Sequence, residues 1–394
     1  MLAVLIAIIA AGFTLSLLNG ANCAGNVVGL VSGFRGKSAK IVTLLSPLSI
    51  FTGALMAGSF VSHTFIEGIL DYTTGSQGLV AKTVFSVFLS TLTWTLIALV
   101  RKAPISVSQV AVGSMLGSAF SLCRLSCVNW TNVVFIVVSW LLTPLTSMSI
   151  SLVLYRVHVR MKEDRGDLYA VIGASLYLFA VLAIVQYLLY ANVIERLLAT
   201  VTSLITSSIA STSHAVYVYL GRRGKGDFRG RAYRIAVLTI SFMVAFIYGA
   251  HDVANVAGPL SVVLLKTTRE GTNDVHTTLP VALAISATGL SLGAFLWGYR
   301  VAETIGAKIT PLTMESGLLA QLSTFLTVAV LVVLGMPSSV TLAVIGSVTG
   351  IGCARGLEYV DWKTFFKVIV TWILGVPVTI LLSAISLTVL KTAS

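Results

Sequence analysis

Long apolar runs dominate the chain. Residues 41–62, 79–100, 133–154, 168–190, 281–299 and 365–390 each come close to the roughly 20 apolar positions that carry a helix across a bilayer core. Helices are the expected spanning form, because backbone N–H and C=O groups find no water in lipid and must pair within their own segment. The first eighteen residues form another apolar run that lacks a basic start and passes directly into polar sequence, which predicts a retained helix and not a cleaved leader. The pattern as a whole predicts an all-α polytopic membrane protein with about 12 transmembrane helices. Two polar interruptions stand out. Residues 248–259 place His251, Asp252 and Asn255 in apolar surroundings, and residues 19–26 do the same with Asn19, Asn22, Cys23 and Asn26. A charged side chain at bilayer depth costs about 2.5–3.5 kcal/mol on insertion scales and is kept where it serves a site.

Composition agrees. With 56% hydrophobic and 10% charged residues and a mean hydropathy of +0.96, the chain has too little polar surface to clothe a water-soluble globule. The net charge of +12 does not indicate a nucleic-acid partner, because the basic residues fall in short connections between apolar runs. If Arg35, Lys37 and Lys40 are inside and the sides alternate, 20 of the 26 Lys and Arg lie inside and six outside. That asymmetry predicts an inner- or plasma-membrane protein with both termini outside. Of the four cysteines, Cys123, Cys127 and Cys353 are expected to act as small apolar packing residues, and nothing around Cys123 and Cys127 suggests a zinc site.

The chain also repeats itself. Residues 20–26 match 249–255, 53–64 match 293–304, 104–117 match 337–350, and 140–144 match 372–377, at offsets of 229, 240, 233 and 232. Four ordered matches at a nearly constant offset predict a duplication, with a first repeat at 1–155, connector helices and a basic loop at 156–232, and a second repeat at 233–394. Seven spans are expected between the two repeat starts, an odd number that inserts the copies upside down relative to each other. Inverted repeats are a common architecture of secondary transporters. The connector is the expected place of any homodimer contact.

The glycine- and amide-rich polar segments are expected to break their helices at the bilayer midplane, which would turn free N–H groups one way and free C=O groups the other. Asn22, Asn26, His251 and Asn255 supply neutral donors and acceptors, and Asp252 supplies a carboxylate able to hold Na⁺ or a proton. Pro104 and Pro337 stand at plausible first helical positions, followed by hydroxyls at Ser106, Ser108, Ser338, Ser339 and Thr341, a set suited to a tetrahedral oxyanion. The competing reading is a capped membrane helix packed through Gly113/Gly117 and Gly346/Gly350. Glu303 and Glu315 read as a solvated inner face, while His63, Glu67 and Asp71 read as a solvated outer loop. Trp140 and Trp372 read as interface anchors. Arg124 is left between an outer and a buried placement. The sequence has no His-Glu-x-x-His pair, no paired catalytic carboxylates and no nucleotide loop, so an enzyme is not expected.

With these residues in hand, the chain resembles the inorganic phosphate transporter (Pit) family over nearly its whole length. The resemblance rests on the paired 20–26 and 249–255 motifs, the paired proline-started motifs, and the stretch 299–313. It implies phosphate moved by symport with Na⁺ or H⁺ and no other cofactor. It further implies that Asn22, Asn26, Asp252 and Asn255 line the substrate and cation sites, joined by Ser106, Ser108, Ser339 and Thr341. The chain departs from the family pattern at Cys23 (aspartate in the family), His251 (asparagine), Val107 and Val340 (threonine), and Gln109 and Leu342 (histidine). Losing one carboxylate implies fewer coupled cations or a change from Na⁺ to H⁺. His251 is expected either to take up a proton and hold an anion or to donate a neutral hydrogen bond. Sulfate or another oxyanion is the alternative substrate, and a passive anion channel the alternative mechanism.

Overall fold

The computed structural model describes residues 2–30, 37–72, 75–101, 105–191, 194–221, 228–267 and 275–392, with the side chains at 28, 37–39, 162–171, 221, 228–233 and 299–308 outside the description. Its helices are α1 Leu2–Leu30, α2 Lys37–Ala57, α3 Ser59–His63, α4 Gln77–Val100, α5 Val107–Cys123, α6 Trp130–Tyr190, α7 Arg196–Gly221, α8 Phe228–Asp252, α9 Ala254–Thr267, α10 Val275–Ile309, α11 Met314–Val333, α12 Val340–Arg355 and α13 Trp362–Thr392. A π-helical turn, Thr64–Gly68, continues α3. Among the described residues there is no strand, only an isolated bridge between Leu70 and Val128. Among the described residues nine segments are long and apolar enough to cross a bilayer and α5 and α12 are shorter apolar helices, against about 12 expected; α7 is long but less apolar. Side chains such as Leu44, Leu141, Ile373 and Leu381 remain exposed on the outer surface, as lipid contact requires.

Two expectations need correction here. The basic stretch 156–165 is not a loop. The runs at 133–154 and 168–190 belong to one 61-residue helix, α6, about 90 Å long at about 1.5 Å per residue. Arg, Met, Lys and Glu are good helix formers, so polarity there takes the chain out of lipid without ending the helix. The expected boundary at residue 155 therefore falls inside α6. The second correction concerns Cys123 and Cys127, which form a disulfide and are not merely packing residues. Arg124 and Leu125 adopt left-handed conformations, φ 50° and 71°, that end α5 and fold Cys127 back onto Cys123. Arg124 itself is exposed at this turn.

Contacts set the helix directions. Ser291 donates to the Pro47 carbonyl at 3.0 Å while Gly58 abuts Leu283, so α2 and α10 run antiparallel. Gly289 abuts Ser16 and Gly298 abuts Ala24, so α1 and α10 run parallel. Several contacts occur twice at the sequence offsets already noted. Thr91 donates to Ser114 at 3.0 Å and Thr324 to Ser347 at 2.9 Å. The Asn129 amide donates to Ile69 at 3.0 Å and the Asp361 amide to Ile309 at 2.9 Å. Asn129 and Asp361 then cap α6 and α13, and the two hydrogen bonds from Thr364 hold the Asp361 carboxyl below the usual carboxylate range.

Glycine spacing explains how these helices meet. A Cβ on Gly20 would overlap the Leu290 carbonyl, and one on Gly249 would overlap the Ile50 carbonyl. Gly293 faces the Leu17 carbonyl and Gly53 the Phe246 carbonyl in the same way. These crossings place α1 on α10 and α8 on α2, while α5 packs on α13 and α12 on α6. Segments 1–155 and 233–394 are thus packed through each other instead of side by side. Gly53→Val and Gly293→Val should each destabilise the fold by more than the about 1–3 kcal/mol typical of overpacking, because backbone cannot yield as a side chain can. Heat-induced loss of the monodisperse peak in detergent measures this, with Gly78→Ala, where an added Cβ meets nothing within 4 Å, as the unaffected control.

Candidate functional site

The 19–26 and 248–259 motifs meet inside the bundle, although not as two broken helices. α1 runs without interruption from Leu2 to Leu30, and the second motif is interrupted only at Val253 between α8 and α9. Even there the Val253 amide bonds Gly249 at 3.2 Å and the Ala257 amide bonds Val253 at 2.9 Å. Gly20 and Gly249 serve close helix approach, so their presence does not stop the helix. The interior helix ends come instead from α5 and α12. Ser106 and Ser339 precede them in extended conformations and are 4% and 2% exposed. Each caps its own helix, Ser106 accepting from the Gln109 amide at 3.4 Å and Ser339 from the Leu342 amide at 3.1 Å. The first-turn amides beyond these caps are the donors that no earlier turn can satisfy.

Around the start of α12 the polar groups form a closed set of bonds. Asn26 Nδ2 donates to Thr341 Oγ1 at 3.1 Å, joining α1 to α12. Asn19 Nδ2 donates to the Asp252 carbonyl at 3.3 Å, joining α1 to α8. The Ser338 amide, shared with the Met336 carbonyl, reaches His251 Nε2 at 3.3 Å, and His251 Nδ1 lies 2.9 Å from Asp252 Oδ1. Since Nε2 faces an N–H, the ring proton belongs on Nδ1 and is donated to the carboxylate. Of the two roles open to His251, this geometry suits the neutral donor. From behind, Trp140 Nε1 donates to the Pro337 carbonyl at 3.0 Å and Thr143 pairs with the Ser338 hydroxyl at 2.7 Å. Trp140 is therefore a buried clamp on the α12 start and not an interface anchor; Trp372 is buried as well. Pro104, at the corresponding place before α5, lies outside the described residues.

Several acceptors in this region have no partner in the protein. Asn19 Oδ1, Asn26 Oδ1, Gln109 Oε1 and Asn255 Oδ1 are buried and unbonded, as is the donor Asn255 Nδ2. Cys23 is fully buried beside the Asp252 carboxylate. Among the described residues no group of three or more His, Cys, Asp and Glu side chains is arranged to hold a metal ion, and the carboxylate of this set is that of Asp252.

The site thus brings together Asn26, His251, Asp252, Ser339 and Thr341 from the expected set, with Asn255 just beyond on α9. Asn22 is half-buried one turn before Asn26. Ser106 and Ser108 are buried at the start of α5, which packs on α4 and α13 and touches α9; Ser106 bonds within its own helix. Outside the site, His63, Glu67 and Asp71 are exposed as expected, although His63 and Glu67 lie on the helical segment after α2 and not in a loop, with Asp71 just beyond it. Glu303 lies where side chains are not described. Glu315 is not simply solvated, since it lies 3.3 Å from Nε2 of the buried His158. Asn19, Trp140 and Thr143 carry bonds that residue type alone did not assign to the site.

An all-helical bundle with many apolar spans and a buried, incompletely satisfied polar centre defines a membrane transporter. A family profile described as the phosphate transporter family matches residues 19–383, and the chain belongs to that family. It is 28% identical to a "Putative phosphate permease" of Thermococcus kodakarensis over 95% of this chain and 94% of that one. To one of the same description from Pyrococcus abyssi it is 30% identical, over 95% of each. A solved structure described as "The sodium-dependent phosphate transporter" superposes with a TM-score of 0.89 at 28% identity, covering 99% of both chains.

Trp140→Phe and His251→Phe each remove one bond holding residues 337–341. One bond of about 1–1.5 kcal/mol corresponds to about 5–10-fold faster amide exchange. Hydrogen-exchange mass spectrometry should find that acceleration in the peptide spanning 337–342, with the peptides of α7 unchanged.

Proposed function

We propose that the chain is a secondary symporter that carries inorganic phosphate across the cell membrane together with a cation, by alternating access. The observation that carries this reading is the meeting of the α12 start with Asp252 and with buried, unpaired amide oxygens. Helix-start N–H groups and the hydroxyls of Ser339 and Thr341 donate to phosphate oxygens, with Ser106 and Ser108 contributing from α5. Phosphate also carries its own O–H, and the unpaired acceptors supply what that proton needs. Sulfate at neutral pH carries none, so the same acceptors favour phosphate over the sulfate alternative. The cation belongs at Asp252, aided by Asn22 and Asn255, and its charge offsets that of the anion. His251 holds the carboxylate in place as a neutral donor and is not itself the cation site.

The antiparallel α2 and α10, and the contacts repeated at offsets of 229–240, support an inverted duplication in which the two copies exchange roles between outward- and inward-open states. The Cys123–Cys127 disulfide supports an outer placement of that turn, since disulfides persist in oxidising compartments. This agrees with the orientation given by the basic residues, with both termini outside.

Radiolabelled phosphate uptake into proteoliposomes under separate Na⁺ and H⁺ gradients tests the reading. Accumulation against a gradient is expected, with competition by arsenate exceeding that by sulfate. Downhill movement alone would indicate a channel, and refusal of every oxyanion under both gradients would reject transport. Asp252→Asn should reduce gradient-driven uptake at least about tenfold, equivalent to about 1.4 kcal/mol. Cys23→Asp, which restores a second carboxylate beside Asp252, should raise the number of cations moved per phosphate, read as a steeper dependence of uptake on cation concentration.

A further inference from the structure

The seam between α8 and α11 stays polar further from the site than its counterpart between α1 and α4. On α8, Ser241, Tyr248 and Asp252 recur at spacings of seven and four and so share one helical face. Opposite them on α11, Ser241 Oγ lies 3.2 Å from Gln321 Oε1 and Gln321 Nε2 donates back to Ser241 Oγ at 2.8 Å. Tyr248 faces Thr324 on the same helix. All four of these seam side chains are fully buried, and the Tyr248 hydroxyl has no partner in the protein. At the same offsets, 229 and 233, the other seam carries Asn19 and Thr91 in place of Tyr248 and Thr324, but Gly12 against the ring of Phe88 in place of Ser241 and Gln321.

Burying a glutamine and a tyrosine hydroxyl in a bundle core is costly unless each is satisfied. The packing of Phe88 over Gly12 shows that this fold fills the equivalent space with apolar atoms, so helix packing does not require the polar set. The polar seam runs away from Asp252 toward the start of α8, over eleven residues or about 16 Å of helix. Beyond it, at the start of α11, is the partly exposed Glu315 beside His158. The equivalent outer positions, Lys82 and Leu390, border an apolar cleft with Leu5, Ile8 and Phe85.

Building on the symport reading, we propose that the α8–α11 seam is the inward path of the coupling cation. A cation leaving Asp252 for the inner face meets in turn the Tyr248 and Thr324 hydroxyls and the Ser241 and Gln321 oxygens. Along the α1–α4 seam the oxygens stop at Asn19 and Thr91, and Gly12 against Phe88 closes the seam beyond them, which makes release to the inside the direction served.

The test replaces the polar pair by the chain's own apolar one. Ser241→Gly with Gln321→Phe should pack as Gly12 and Phe88 do. In proteoliposomes, net phosphate uptake driven by a Na⁺ gradient or an H⁺ gradient is compared with phosphate–phosphate exchange at equal cation on both sides. Exchange returns the cation with the carrier and needs no inward release of it. The double variant should lower the ratio of net uptake to exchange at least tenfold, and the gradient that shows the deficit identifies the cation. An unchanged ratio, whether both rates persist or fall together, overturns the proposal. If the double variant fails to fold, Tyr248→Phe, which removes one oxygen without adding bulk, decides: a ratio reduced at least threefold supports the path and an unchanged ratio overturns it. Absence of gradient-driven uptake by the unaltered protein would instead count against symport itself.

Discussion

A polar group placed deep in this bundle has no water to return to, and that constraint governs how the site is built. Every donor or acceptor there must find a partner within the protein or wait for cargo. Asn26, Asn19 and His251 find theirs across helix boundaries, on Thr341, on the Asp252 backbone and on the Ser338 amide. The acceptors left over, on Asn19, Asn26, Gln109 and Asn255, lie around the same carboxylate and helix starts. A centre satisfied on one side and open on the other is what cargo that is itself both donor and acceptor can complete.

The crossings at Gly20, Gly53, Gly249 and Gly293 let the backbones approach closely enough for short amide side chains to bridge them. An asparagine reaches only a few ångströms, so a helix separation set by larger residues would leave Asn19 and Asn26 unable to touch α8 and α12. The same crossings pass each half of the chain through the other.

Much of this was legible in the chain. The apolar runs announce the spans, and the two polar segments, matching each other at an offset of 229, mark residues that do converge. Ser106 and Ser339 do stand at helix starts in the interior, but as the capping residues: Pro337, expected at the first helical position, lies three residues before α12, and Pro104 lies outside the described residues. Other readings failed for identifiable reasons. Glycines in the polar motifs suggested breaks, but glycine serves helix crossing as readily as helix ending, and only the neighbouring helix distinguishes the two. The basic stretch after residue 155 suggested a loop, because charge reports exit from lipid and says nothing about whether the helix continues. Trp140 has the composition of an interface anchor, and its bond to Pro337, 197 residues away, has no local signal.

Local chemistry in the sequence thus determined the class of protein, the apolar elements, the polar residues set into them, and the presence of Cys23 and His251 among these. Tertiary structure decided which of these meet, that α1 stays unbroken, that Cys123 closes onto Cys127, and that His251 spends its two nitrogens on Asp252 and Ser338. The division has one physical cause. Burial in lipid is a property of a segment and its composition, whereas a hydrogen bond or a helix crossing is a property of two segments, and its partner is chosen only when the chain is packed.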